Sequence, residues 1–261
     1  MDMRYYIVDA FTKRLFAGTP AGVCLLEEWP QDSVMQSIAA ENNLAETAFV
    51  LPRGDEYELR WFTPEVEIDL CGHATLASAF VLANYADTHR QRFVFHTKSG
   101  ALAVEKTGDL FEMDFPSRSP RPVDVTPAME RAIGTGILEA LLSRDLLLLV
   151  GSERQVQALA PDLAALKSLP DGFGVIVTAK GEHADFVSRF FAPKAGIPED
   201  PVTGSSHASL IPFWSGRLGK AELLARQLSP RGGELYCKDA GDRVKIAGHA
   251  VLYLEGSIRS R

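Results

Sequence analysis

The residues able to do chemistry fall in two stretches that repeat each other. Arg60 Trp61 Phe62 Thr63 Pro64 leads to Cys71 Gly72 His73 Ala74 Thr75 Leu76, and Arg189 Phe190 Phe191 Ala192 Pro193 leads to Ser205 Ser206 His207 Ala208 Ser209 Leu210. The arginines are 129 apart (189 minus 60) and the histidines 134 (207 minus 73), so the second copy carries five extra residues. Each copy places an aspartate (Asp69, Asp200) and a glycine (Gly72, Gly204) before a run of small and apolar residues. The run from His73 to Ala83 is apolar almost all round, which predicts a buried helix. A buried helix start leaves N–H groups that need a side chain, a water or an anionic ligand. Two such starts facing one cleft favour a carboxylate; the alternative is that Asp69 and Asp200 cap their own helices.

Glu46 is an acid flanked by apolar residues in Asn42 Asn43 Leu44 Ala45 Glu46 Thr47 Ala48 Phe49 Val50. Burial would raise its pKa and let it take and give protons near neutral pH; the alternative is a surface carboxylate at a turn. His73 is open in the same way, since a histidine at a helix start often only bonds its neighbours. Cys71 at a helix start could be an activated thiolate, but a two-thiol racemase needs a matching cysteine where Ser205 and Ser206 stand, so it reads as a packing residue. Asp69, Cys71 and His73 lack a second cluster of ligands, so no metal is expected. Gly134 Thr135 Gly136 lacks the third glycine of a dinucleotide site.

The elements that position these residues follow from pattern. Tyr5 to Ala10 and Val23 to Leu26 read as strands around a turn, Gly18 Thr19 Pro20 Ala21 Gly22. Val34, Met35, Ile38 and Ala39 recur at helical spacing, a strand runs from Thr47 to Leu51, and Tyr57, Leu59 and Trp61 alternate on the next. Strands are expected at 93–97, 101–106 and 110–115. Pro116 to Pro122, rich in proline, reads as an interdomain linker. Beyond it come helices at 127–133, 153–159 and 162–168, strands at 146–150, 175–179 and 186–192, a second buried helix with a kink at Pro212, and a last pairing from Val244 to Leu254. An internal repeat of half the chain means duplicated domains, expected as 1–116 and 117–261 with the final strand able to return to the first, and a site between them.

At 261 residues, with 46% hydrophobic and 23% charged residues, the chain suits two globular domains. A net charge of −7 argues against a nucleic-acid binder. Three cysteines without a CxxC pair point to a reducing compartment. With no signal-peptide core and no apolar run of about 20 residues, the expected protein is cytoplasmic, with no membrane partner.

Asp9 Ala10 Phe11 Thr12, Gly18 Thr19 Pro20 Ala21, Asn43 Leu44 Ala45 Glu46 Thr47 and the stretch Arg60 to Thr75 resemble the PhzF-like phenazine-biosynthesis family. Glu199 Asp200 Pro201 Val202 Thr203 Gly204 Ser205 Ser206 His207 and Ser229 Pro230 Arg231 Gly232 Gly233 are similar to its later signatures. The resemblance implies an α/β fold of the diaminopimelate-epimerase kind: two pseudo-symmetric domains, each a curved mixed sheet around a central helix. It implies Glu46 as catalytic acid/base, with His73, Asp200 and Ser205 at other active-site positions; the two helix starts, with Gly72, Thr203, Gly204 and Ser205, are expected to bind the substrate. It further implies a homodimer and an isomerase that shifts a proton in a small carboxylic acid with no cofactor, metal or pyridoxal phosphate. Thr19 stands where the family usually has asparagine, and the stretch Ser205 to Trp214 looks like the broad branch rather than the phenazine enzymes, so a substrate other than the phenazine precursor is expected. The rival readings are a non-catalytic carboxylate binder and a metal-dependent lyase using Asp69, Cys71 and His73.

Overall fold

The structure, a computed structural model, describes residues 2–259. The chain divides into two compact units, Met1–Asp114 with Ala247–Arg261, and Phe115–Ile246. In chain order the first half gives β1 (Asp2–Ala10), β2 (Thr19–Leu25), α1 (Asp32–Asn42), β3 (Glu46–Arg53), β4 (Glu56–Phe62), β5 (Glu67–Ile68), α2 (Gly72–Val81), β6 (Arg92–Thr97), β7 (Gly100–Thr107) and β8 (Leu110–Pro116). There follow β9 (Arg121–Val123), α3 (Pro127–Ile133), β10 (Glu139–Leu142), β11 (Leu146–Leu149), α4 (Glu153–Gln157), α5 (Leu163–Ser168), β12 (Val175–Lys180) and β13 (Phe186–Ala192). The remainder is β14 (Ile197–Asp200), α6 (Gly204–Leu218), β15 (Glu222–Gln227), β16 (Gly233–Asp239), β17 (Arg243–Gly248) and β18 (Ala250–Arg259).

Strand pairing shows that the repeated motif marks a repeated topology. In the first unit β2 runs parallel to β3, β3 antiparallel to β4, β4 parallel to β6 and β6 antiparallel to β7, with the short β5 folded back on β4. In the second, β11, β12, β13, β15 and β16 pair in the same senses, with β14 folded back on β13. The parallel step from β4 to β6 needs a crossover, and α2 lies in it; α6 lies in the equivalent step from β13 to β15. Each sheet is therefore mixed, with one buried helix between its parallel central strands.

The repeated arginines have one physical role in both units. On a strand, residues two apart share a face, so Arg60 lies over the Phe62 ring and Arg189 over the Phe191 ring, at 5.2 and 5.1 Å to the centroids. Each guanidinium then forks a glutamate on the short returning strand: Arg60 to Glu67 at 2.7 and 2.9 Å, Arg189 to Glu199 at 2.7 and 2.8 Å. These bidentate pairs fix the hairpins that deliver the chain to the starts of α2 and α6.

α1 buries Met35, Ile38 and Ala39 in a core with Met3, Tyr5, Cys24, Phe49 and Phe62. α3 forms where the sequence places it, because Thr126 caps the Met129 N–H, Pro127 opens it and Gly134 ends it at φ 73°.

Two sequence expectations change. Thr19 to Gly22 belong to β2, paired from Ala10↔Thr19 onward, rather than to a turn. Pro20 is tolerated because pairing with β3 begins only at Ala21, so its missing N–H interrupts no bond on that side. The proline-rich stretch after β8 is not a free linker: Ser117 and Arg118 donate their N–H groups to the carbonyls of Asp242 and Ala208 at 2.9 Å each, and Arg121–Val123 pairs with β10. Ala208 is the residue whose carbonyl Pro212 leaves without a helical donor, so the Arg118 N–H fills the gap and α6 continues to Leu218. Among the described residues no helix is long and apolar enough to cross a membrane.

Candidate active site

Glu46 opens β3, the strand parallel to β2, and His73 is the second residue of α2. The structure brings them together: Glu46 Oε2 lies 2.8 Å from His73 Nε2, with side chains only 14% and 9% exposed. The contact has the distance of an ion pair but not the alignment of a hydrogen bond, which leaves Oε2 buried without an aligned donor. Cys71, buried at the N-cap of α2, sets its Sγ 3.6 Å from Nδ1 and 3.7 Å from Nε2 of the same imidazole. Burial pushes the Glu46 carboxyl up, yet the His73 charge beside it outweighs burial and holds the carboxyl below the usual range. The sequence reading of a raised Glu46 is thus reversed, because it had no histidine in contact. Burial pulls His73 down, but Cys71 and Glu46 together hold it well above its ordinary value. Burial also pushes the Cys71 thiol up.

Cys71 and Thr203, the N-cap residues of α2 and α6, make no side-chain cap hydrogen bond. Asp69 is not among the donor atoms grouped at Glu46, Cys71 and His73, and Asp200 accepts the Thr203 hydroxyl through Oδ2 at 2.6 Å. Glu46, Cys71 and His73 offer three donor atoms, all within 4.8 Å of one another, that could hold a metal.

In the second unit Asp200, Thr203, Gly204 and Ser205 gather at the start of α6. Gln227, 1% exposed at the end of β15, holds this turn: its Oε1 accepts the Thr203 N–H at 2.9 Å, and its Nε2 donates to the Asp200 carbonyl at 2.7 Å and to Thr203 Oγ1 at 3.2 Å. Sequence reasoning missed Gln227, although a signal existed. Alternation in β15 puts Gln227 on the buried face with Leu223 and Ala225, where a polar side chain has to find partners. Arg144 reaches Ser205 Oγ at 3.4 Å. A Cβ added at Gly204 would meet nothing within 4 Å, so the space over the helix start is open.

His207, the counterpart of His73 in the repeat, has a different environment. It is 0% exposed, its Nδ1–H donates to the Thr203 carbonyl at 2.8 Å, and burial pushes its pKa down to about 4. Below about pH 6.5 the unfolded chain binds a proton here that the folded chain refuses until about pH 4. Stability should therefore fall as pH drops through that window, by about 3 kcal/mol from this residue. Urea titrations at pH 7 and pH 4.5 check this: His207→Gln should lose most of that pH dependence, and an unchanged dependence would refute it.

The family model of PhzC–PhzF phenazine biosynthesis-like proteins matches residues 8–256. An uncharacterized isomerase of Pseudomonas aeruginosa is 52% identical over 260 residues, covering 99% of each chain. The mouse phenazine biosynthesis-like domain-containing protein 2 is 40% identical over 286 residues, again covering 99% of each. The crystal structure of a PhzF-family phenazine biosynthesis protein from Enterococcus faecalis superposes with a TM-score of 0.98 at 52% identity over 100% of both chains. A hydroxyproline epimerase from Agrobacterium vitis, at 11% identity and a TM-score of 0.62 over 98% of this chain and 92% of that one, shares the fold alone. The repeated mixed sheets, each with a buried helix, are thus of the epimerase kind, and the chain belongs to the PhzC–PhzF phenazine biosynthesis-like family.

Proposed function

We propose that the protein is an isomerase that moves a proton on a small carboxylic acid without cofactor or metal. One observation carries this reading: the buried Glu46 carboxylate against His73 at the start of a buried helix. Glu46 takes the proton from carbon and returns it at another, His73 holds the carboxylate in place and balances its charge, and Asp200 is the orienting acid at the start of α6. The N–H groups at Gly72, and in the second unit those at Gly204 with Thr203 and Ser205, are each suited to an anionic group such as a carboxylate or an enolate. Acid/base chemistry alone supplies about 10²–10⁴ in rate, so these N–H donors must contribute much of the rest. The name of the Pseudomonas relative agrees with an isomerase.

The test needs only a ligand that binds. Purified protein incubated in heavy water with unsaturated cyclic acids and amino-acid derivatives, with chelator and no cofactor, should place deuterium on one carbon by mass spectrometry. Relocation of a substrate deuterium in ordinary water is scored alongside, because a shielded site can return the same proton. Tight binding with neither signal across the panel would favour a carboxylate-binding protein.

A further inference from the structure

We propose, resting on the isomerase reading above, that Arg144 makes the protein select carboxylic acids: its guanidinium, beside Ser205 in the second unit, forks the carboxylate of the bound acid. The repeat locates the difference between the units. Arg60 pairs with Phe49 on β3, three residues after Glu46 (49 minus 46), and Arg189 pairs with Val177 on β12, three residues after Gly174 (177 minus 174). Gly174 is therefore the counterpart of Glu46, and a Cβ there would run into the Phe190 ring. No proton carrier fits at this place in the second unit unless that ring moves, and His207 meets no carboxylate, in contrast to His73. On the neighbouring strand of the first unit, Ala21 stands beside Glu46. In the second unit Asp145, one residue before the Leu146↔Val175 pair, stands beside Gly174. The charged groups there thus sit one strand over, at Arg144 and Asp145.

The guanidinium is held in place and still has donors to give. Asp145, 1% exposed, accepts the Gly174 N–H through Oδ1 at 3.0 Å and takes Arg144 Nε at 3.3 Å. The Phe173 ring centroid lies 4.8 Å from the guanidinium carbon, and Nη2 reaches Ser205 Oγ at 3.4 Å. Nη1 has no hydrogen-bond partner among the described residues, and the side chain is 37% exposed, so the two terminal nitrogens can reach a ligand. A Cβ at Gly204, next to Ser205, meets nothing within 4 Å, which leaves the approach open. Charge points the same way. The charged groups that act on Asp145 are Arg144 and Arg118, and both Asp145 Oδ2 and Arg118 Nη1 are buried without a hydrogen-bond partner. Two guanidiniums around one carboxyl leave a positive charge in excess whether or not Asp145 is ionised. The other acid near this helix start, Asp200, is tied to the Thr203 hydroxyl and is not among the groups acting on Asp145. A carboxylate supplies the missing charge, and its two coplanar oxygens match the guanidinium fork.

Phenylglyoxal, which modifies accessible arginines, tests this on the full-length protein without the true substrate. The probes are acetate, benzoate and cyclohexene-1-carboxylate, each beside its neutral amide and at matched ionic strength, with labelling of Arg144 read by peptide mass spectrometry. At up to about 50 mM, at least one acid should slow that labelling about fivefold or more while its amide does not. Arg53, whose side chain is 58% exposed, is the reference and should label at one rate throughout. Calorimetric titration of the protecting acid should show Arg144→Gln weakening binding at least about tenfold, and Arg144→Lys, which keeps the charge but not the fork, recovering only part. Equal protection by each acid and its amide, no protection by any acid, protection by inorganic phosphate alone, or unchanged affinity in Arg144→Gln would overturn the proposal. The heavy-water experiment tells its failure from that of the isomerase reading. Protection without hydrogen exchange keeps Arg144 and removes the proton shift; exchange whose half-saturating acid concentration is unmoved in Arg144→Gln keeps the proton shift and removes Arg144.

Discussion

Glu46→Gln is expected to lower turnover at least about 10²-fold while leaving KM close to the parent value. The amide keeps the volume of the side chain and can still face His73, so substrate is received much as before, but it can no longer accept a proton from carbon. His73→Asn should behave differently. It removes the charge that holds the Glu46 carboxyl low, so that carboxyl rises under burial and the acid limb of the rate profile moves to higher pH. The two variants thus separate the group that carries the proton from the one that tunes it. Near-full turnover by Glu46→Gln would end the assignment, and an unmoved acid limb in His73→Asn would remove the histidine from that role.

The second large effect concerns stability. Arg189→Met should cost about 3–5 kcal/mol and Arg60→Met only about 1, although the two occupy the same place in the repeat. Arg189 is 8% exposed and serves Glu199 together with the carbonyls of Leu159 at 2.8 Å and Val156 at 3.3 Å. Removing it leaves a mostly buried carboxylate and the Leu159 carbonyl without their donor, while the Val156 carbonyl keeps the Leu159 N–H at 3.4 Å. Arg60 is more exposed, at 22% of its side chain, and two of its contacts are replaceable: Glu67 keeps Lys98 at 2.6 Å, and Asp32 is 74% exposed and can turn to water. Scanning calorimetry should show a drop on the order of 10 °C for Arg189→Met and a few degrees for Arg60→Met. Equal losses would mean that the carbonyl contacts near Arg189 contribute little.

The repeat was readable because its residues are constrained from two sides. An arginine must share a face with an aromatic ring two residues on and reach a glutamate on the returning strand, so type and spacing recur. The returning strands themselves were not readable. Glu67–Ile68 is two residues long and Ile197–Asp200 is four, half of them acidic, which hides any alternation. Glu46 and His73 could each be singled out, but their contact could not, because 27 residues (73 minus 46) and two strands separate them. That contact decides the direction in which the Glu46 pKa moves, and the expectation from burial alone went the wrong way. Gln227 is the opposite case: its strand pattern is visible in the sequence, but its partners lie on a turn 24 and 27 residues away. The proline-rich stretch at 116–122 was read from composition as a linker, and composition cannot show that its N–H groups have acceptors waiting in α6 and before β17.

The return of β18 to β1, paired from Asp2↔Arg259 to Ala10↔Ala250 with one register shift between Ile7 and Val8, ties together residues nearly the whole described chain apart. During synthesis the second unit, a continuous stretch, emerges complete while β1 still lacks this neighbour. For that interval one edge of the first sheet carries open N–H and C=O groups, the condition in which strands recruit the wrong partner. Contacts of such long sequence separation also form slowly. The nascent chain is therefore most exposed to misassembly after its middle has folded and before residues 250–259 arrive, and a chaperone that shields β1 would act on that interval alone.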